Sequence, residues 1–220
     1  MERGERINWP FLKKWRERYR WPLCESRKAS EERIIYLEIL VKNNILEKGN
    51  LTVKDVLSKI VEWKTGGRYQ ALKYFLSNPH EFIEDTVVRV LAVLERDPDD
   101  VSECINLFKR LRGVGIAIAS TFLRFLDPIE HKYGIIDKNV ASFLNKIGIT
   151  NFSLRHDGYV IDLPKNVREY RVYHDWLHQK VKELNEENAT YIDIHGNKQR
   201  FTPVDVEMAL FAYTTQIRHV

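Results

Sequence analysis

Asp137 stands at the head of a helical run, Lys138-Asn139-Val140-Ala141-Ser142-Phe143-Leu144, directly behind the apolar pair Ile135-Ile136. A helix N-terminus favours an anion. A carboxylate held there can stabilise positive charge developing on a sugar carbon, or orient a water that attacks it. The same position also suits a plain N-cap, since Asp is among the best capping residues; one side chain can serve both purposes. Twenty-two residues before Asp137 the sequence Gly113-Val114-Gly115 interrupts two apolar-periodic segments. Two glycines around one apolar residue let the chain reverse sharply, because they tolerate positive φ and close backbone approach. The second segment then begins with unsatisfied N–H groups at the tip of the turn, and these donors with the positive end of the helix dipole make an anion site. Lys109, Arg110 and Arg112 lie just before the turn and would strengthen it for a phosphodiester, without any contact to a base.

A second cluster is Glu62-Trp63-Lys64-Thr65-Gly66-Gly67-Arg68-Tyr69. Trp63, Lys64, Arg68 and Tyr69 combine aromatics and cations at a helix junction, a set that can stack an extruded base or grip a backbone. The alternative is a core anchor at Trp63 with Gly66 as the helix C-cap. Metal chemistry finds little support. Cys24 and Cys104 are too few for an iron–sulfur cluster, and no C-x-x-C pair points to zinc. His174 and His178 are one helical turn apart but lack an acidic third ligand in register. No cofactor or metal is therefore expected, and no Ser-His-Asp set, Walker loop or dinucleotide fingerprint appears.

The elements that position these groups are mostly helices. Pro10 opens a first helix with Phe11, Leu12, Trp15 and Tyr19 on one face; its cations face water while Trp15 packs on the body, or else meet a nucleic acid or a membrane surface. Ser30 caps a second helix that stops at Gly49. Thr52 and Asp55 form a capping box for a third, and Pro79 opens a fifth after a short fourth. Tight helices flank the glycine turn, and a further helix begins near Asp137. Residues 158–162 and 191–195 alternate like strands, and His195-Gly196-Asn197 is a turn signal. A long helix over about 165–187 separates them, and Thr202-Pro203 with Asp205 opens a last one.

Apolar residues make up 44% of the 220-residue chain and charged residues 30%, which excludes a disordered protein. No run approaches the ~18 apolar residues of a membrane helix, and the charged start lacks a signal-peptide h-region. Net charge is only +4, yet residues 106–126 carry four cations and no acid, while residues 80–104 carry eight acids against two arginines. Such a field can steer a polyanion to one face. The chain is expected to fold as one unit over 1–220, or as two helical lobes over about 22–100 and 101–150 with the terminal segments. It is expected to be mainly α with a small β element within 155–201.

Leu107-x3-Leu111-x-Gly113-Val114-Gly115-x3-Ala119, followed by apolar residues, resembles the helix-hairpin-helix of DNA-binding proteins, here spanning 104–123. With Ile135-Ile136-Asp137-Lys138-Asn139-Val140 at its downstream distance, the segment from about 104 to 146 is similar to the helix-hairpin-helix superfamily of base-excision DNA glycosylases. The resemblance implies a helical glycosylase-like architecture and a monomeric, intracellular (cytoplasmic, DNA-associated) protein that binds double-stranded DNA and no membrane. It implies Asp137 as the catalytic carboxylate, facing the anomeric carbon of a flipped-out nucleotide. DNA contacts fall to Lys109, Arg110, Arg112, Gly113, Val114, Gly115, Ala117, Lys138 and Asn139. Relatives with lyase activity carry a lysine two residues past the second glycine; Ala117 stands there, which excludes a hairpin-lysine lyase. The iron–sulfur loop of other relatives is absent too. The resemblance thus implies a monofunctional, metal-free enzyme, with a non-catalytic DNA-binding module as the alternative.

Overall fold

A computed structural model of the chain describes residues 7–21, 25–67 and 69–216. The order of its elements is α1 (Trp9–Arg16), α2 (Arg27–Val41) running on into a π-helical turn (Lys42–Leu46), α3 (Val53–Thr65), α4 (Tyr69–Leu76), α5 (His80–Arg96), α6 (Val101–Phe108), α7 (Ile116–Leu126), α8 (Lys138–Lys146), α9 (Pro164–Glu186), β1 (Thr190–Ile192), β2 (Lys198–Arg200) and α10 (Pro203–Gln216). The protein is mainly α, with a two-stranded antiparallel sheet near the C-terminal end in which Tyr191 faces Gln199 across the ladder. No helix among the described residues is long and apolar enough to cross a membrane.

Most helix ends follow local chemistry. Thr52 Oγ1 accepts from the Asp55 N–H at 3.1 Å and the same hydroxyl donates to the Asp55 carboxylate at 2.6 Å, so the two residues expected to cap α3 do close its first turn. Gly66 ends α3 in the left-handed conformation at φ +61°. Two expectations are corrected. Ser26 caps α2, accepting from the Ala29 N–H at 3.2 Å. Ser30 is instead a buried residue inside α2, its hydroxyl donating to the Ser26 carbonyl and accepting from the Trp21 N–H. Residues 158–162 do not form a strand; their one ladder contact is an isolated Leu154–Val160 bridge.

Most apolar side chains join one continuous core. α10 lies at its centre, and every residue from Pro203 to Thr215 is buried. α1 packs across it through Phe11 and Trp15 on Tyr213, with ring centroids 4.9 and 5.3 Å apart. α8 adds Phe143 to the same tyrosine at 5.4 Å. α7 runs through the other half of the core, where Phe122 meets Phe75 and Phe108. The cations of α1 are divided accordingly: Arg16 is buried, while Lys14 and Arg18 lie over the Trp15 ring.

Candidate active site

The peptide that delivers Asp137 is pinned from two sides. The Tyr170 hydroxyl of α9 donates to the Gly134 carbonyl at 2.9 Å, and the Tyr173 hydroxyl donates to the Ile135 carbonyl at 3.4 Å. Gly134 is required here by close approach: a Cβ would collide with Leu177 Cδ1 and lie 2.9 Å from the Tyr173 hydroxyl. From the opposite side the Ile136 N–H donates to Ser120 Oγ of α7 at 3.2 Å, and that hydroxyl donates onward to the Ala117 carbonyl at 3.1 Å. The first turn of α7 and the residue before Asp137 are therefore joined by two successive hydrogen bonds. Asp137 itself is the N-cap of α8. Its Oδ1 accepts from the Asn139 and Val140 N–H groups at 2.9 and 2.8 Å. The other carboxylate oxygen accepts no hydrogen bond from the described residues, so the cap consumes half of the carboxylate and leaves half available.

Two further charged groups lie within electrostatic range of Asp137. Lys64, half-buried in the last turn of α3, and Glu207, buried on α10, each interact electrostatically with Asp137 and with one another. Burial pushes the Lys64 ammonium below its usual range, with Asp137 and then Glu207 pulling it part of the way back. Burial pushes the Glu207 carboxyl up to about 8, with Lys64 opposing and Asp137 adding to the shift. The end of α3 is held in place by its neighbours. Trp63 packs edge-on against Phe125 of α7 at 5.4 Å, and its carbonyl accepts from the Trp21 indole at 3.1 Å. Trp21 in turn meets Phe211 of α10 at 5.6 Å, one helical turn from Glu207.

The glycine turn is built from both the local backbone and α4. Gly113 has φ +79°, and a Cβ there would lie 2.8 Å from Tyr74 Cβ and 3.0 Å from the Ala71 carbonyl oxygen. Asn78, a buried residue that sequence reasoning missed, clamps the turn from the side. Its amide donates to the Arg112 carbonyl at 3.1 Å, and its carbonyl oxygen accepts from the Arg112 N–H at 2.8 Å. Val114 is buried and Ala117 half-buried. Gly115 caps α7 with ordinary φ, and a Cβ there would touch nothing within 4 Å. Of the cations assigned to this face, Arg110 and Arg112 are exposed. Lys109 is bound to Asp162 at 2.7 Å with its side chain only 15% exposed, and Arg124 is buried against Glu38 at 2.6 Å. The basic run is thus narrower at the surface than in the sequence.

The remaining candidates separate. Lys138 lies over the Tyr159 ring at 4.7 Å, and Asn139 keeps a buried side-chain oxygen without a hydrogen-bond partner. Trp63 belongs to the core rather than to an open face, with a buried, unpartnered indole N–H. Arg68, the Tyr69 side chain and Cys24 lie outside the described residues. Cys104 is buried, and burial pushes its thiol up to about 12, away from reactivity. The His174 and His178 rings are 4.4 Å apart, but among the described residues no three His, Cys, Asp or Glu side chains are arranged to hold a metal ion. Glu207 was missed as well. Its signal was present, because α10 up to Tyr213 is an apolar run broken only by Asp205 and Glu207, and an acid in such a helix must be paired or protonated.

Neither a curated protein nor a solved structure matches the chain. One family model does, described as "Putative 8-oxoguanine DNA glycosylase OGG-like protein", over residues 13–211. That span takes in α3, the glycine turn, the Asp137 cap and α10 up to Phe211, and by it the chain belongs to the OGG-like family of DNA glycosylases, DNA-binding proteins of repair.

Proposed function

We propose that the protein is an intracellular DNA glycosylase that hydrolyses the N-glycosidic bond of a damaged base flipped out of duplex DNA, with Asp137 as the catalytic carboxylate. The observation that carries this reading is the half-used Asp137 cap. One oxygen is fixed by two backbone N–H groups, the other has no partner among the described residues, and the peptide before it is tied to the first turn of α7. As the bond to the base breaks, positive charge accumulates at C1′ and the ring oxygen, and a fixed carboxylate stabilises that charge without reorganising. With Ala117 at the position where relatives with lyase activity carry a lysine, the base-releasing step uses water as the nucleophile. The turn serves as a phosphate grip: the N-terminus of α7 offers N–H donors, Gly115 admits close approach, and Arg110 and Arg112 add charge. The family description makes 8-oxoguanine the first lesion to consider.

Duplexes containing 8-oxoguanine, uracil, hypoxanthine or an alkylated base test this reading, with release of the free base as the readout. One of them should lose its base, and Asp137→Asn should slow that release by roughly 100-fold or more while duplex binding persists. If no base is released, or the Asn variant releases it equally fast, the catalytic role fails. A protein that still binds duplex in a salt-dependent way would then be the non-catalytic DNA-binding module.

A further inference from the structure

We propose that the Asp162 carboxylate is an internal stand-in for a DNA phosphate: it occupies the Lys109 ammonium in the free protein and yields that cation to a phosphodiester when a duplex is seated on the α6–α7 turn. The loop over 153–163 is thereby part of the duplex-binding face, and Asp162 sets how selectively that face takes a backbone. The inference rests on the reading of Lys109 and the turn as a phosphate grip, and adds to it a residue that the phosphate must displace.

Lys109 caps the end of α6, and its Nζ lies 2.7 Å from Asp162 Oδ1. Three residues before Asp162, the Tyr159 ring receives the Lys138 ammonium at 4.7 Å. Three residues of chain span at most about 11 Å. One short loop therefore lies against both the end of α6 and the start of α8, the two places whose cations are expected to meet DNA. At the loop's tip a Cβ on Gly158 would lie 4.0 Å from the Lys138 side chain. The loop is held firmly at its base. Asn166, buried in the first turn of α9, accepts from the Ser153 N–H at 2.8 Å and donates to the Ser153 and Ile161 carbonyls at 2.9 and 2.7 Å. Across the loop the Arg155 N–H donates to the Tyr159 carbonyl at 2.8 Å, and the Ile161 N–H to the Ser153 carbonyl at 3.0 Å. The Leu163 N–H donates to the Ile161 carbonyl at 3.0 Å, which makes Asp162 the middle of a three-residue turn.

Asp162 has no other duty. Among the described residues its carboxylate meets Lys109 and nothing else, while the acid at the loop's tip, Asp157, is already paired with Arg155 at 3.1 Å. The Asp162 side chain is 53% exposed, and an ion pair so open to water on one side contributes little to stability. Lys109 is in the opposite position. Its side chain is only 15% exposed, and an ammonium so covered is costly to leave without an anion. Asp162 supplies the anion when DNA is absent, and a phosphate supplies it when DNA is present. The two anions differ in what accompanies them. A backbone seated on the turn also meets the N–H donors of α7 and the exposed Arg110 and Arg112. A polyanion that misses the turn meets Lys109 alone, and must displace Asp162 with no further contact to offset the exchange. The pair thus favours a seated backbone over a casual one.

A double-mutant cycle on duplex binding tests the exchange, read by fluorescence anisotropy at fixed salt with an undamaged duplex, so that neither lesion nor turnover enters. Asp162→Asn should tighten binding roughly threefold to tenfold, because the phosphate no longer competes with a carboxylate. Lys109→Gln should weaken it by a similar factor. In the Lys109→Gln background, Asp162→Asn should change affinity by less than about twofold, since the carboxylate then has no cation to withhold. A merely structural ion pair predicts a lower thermal midpoint for Asp162→Asn with affinity unchanged. A diffuse charge effect predicts the same gain in both backgrounds. Either of those results, or a wild-type protein that does not bind duplex, overturns the proposal. Base release from a lesion duplex without coupling between Lys109 and Asp162 would sink the exchange alone and leave the glycosylase reading standing. Coupling without base release would keep the exchange and assign it to a non-catalytic DNA-binding module.

Discussion

Asp205 and Glu207 sit two residues apart on one buried helix, yet their environments drive them in opposite directions. Burial raises both, but the Arg16 guanidinium 2.7 Å away brings Asp205 below its ordinary value, whereas no cation pairs with Glu207 among the described residues. Glu207 therefore titrates near 8 in the folded protein and near 4.5 when unfolded. Between those values the folded state holds a proton that the unfolded state has released, so stability falls as pH rises through the window. Glu207→Gln keeps the shape of the protonated carboxyl and removes the titration. The variant's melting temperature should lose much of the wild-type decline between pH 5 and 9. Parallel profiles in a thermal denaturation series would show that Glu207 is not the group responsible. At this scale Asp137 was legible, because a cap residue shows itself by the helix it begins. Its electrostatic partners were not, since nothing in the sequence links positions 64, 137 and 207 until three helices are packed together.

The two glycines of the α6–α7 turn look equivalent in sequence and are not equivalent in structure. Gly113 combines a left-handed backbone with contact against α4, so a methyl group there is excluded twice over. Gly115 has φ −90° and open space around its missing Cβ. Gly113→Ala should destabilise the fold by about 1–3 kcal/mol. Gly115→Ala should cost the fold under about 1 kcal/mol, the difference between a glycine and an alanine cap, yet weaken duplex binding where the backbone meets phosphate. Urea unfolding and a salt-controlled binding titration separate the two effects. Equal losses of stability would mean that Gly115 is a folding residue and not part of a phosphate grip. The helices themselves were well announced by apolar spacing, capping pairs and prolines, because these signals are local. Ser30 misled because two serines stand four residues apart and the capping geometry chose Ser26. Residues 158–162 alternate in polarity but find no partner strand, and alternation alone cannot supply one.

α10 is also tied to α1, α2 and β1 by an ionic cluster that no sequence pattern disclosed. Arg16 of α1 donates to Asp205 of α10 at 2.7 Å and to Glu31 of α2 at 2.8 Å, and its guanidinium lies 4.7 Å from the Tyr191 ring of β1. Residues from four elements, up to 189 positions apart, meet at one buried cation. The basic stretch of α1 suggested a solvated or DNA-facing helix, because the pairing of Arg16 depends on carboxylates that the sequence places far away. Removing one member of such a cluster strands the others: Arg16→Leu should cost about 3–5 kcal/mol, the usual penalty for an uncompensated buried charge. The two acids are not left in the same state. Glu31 keeps Arg27 at 2.8 Å, whereas Asp205 keeps only neutral donors, the Tyr191 hydroxyl and the backbone and side chain of Thr202. Adding Asp205→Asn to Arg16→Leu should therefore restore more stability than adding Glu31→Gln. Urea midpoints for the single and paired variants decide the matter: a loss below 1 kcal/mol for Arg16→Leu, or better rescue by Glu31→Gln, would mean that the cluster is not what fixes this helix.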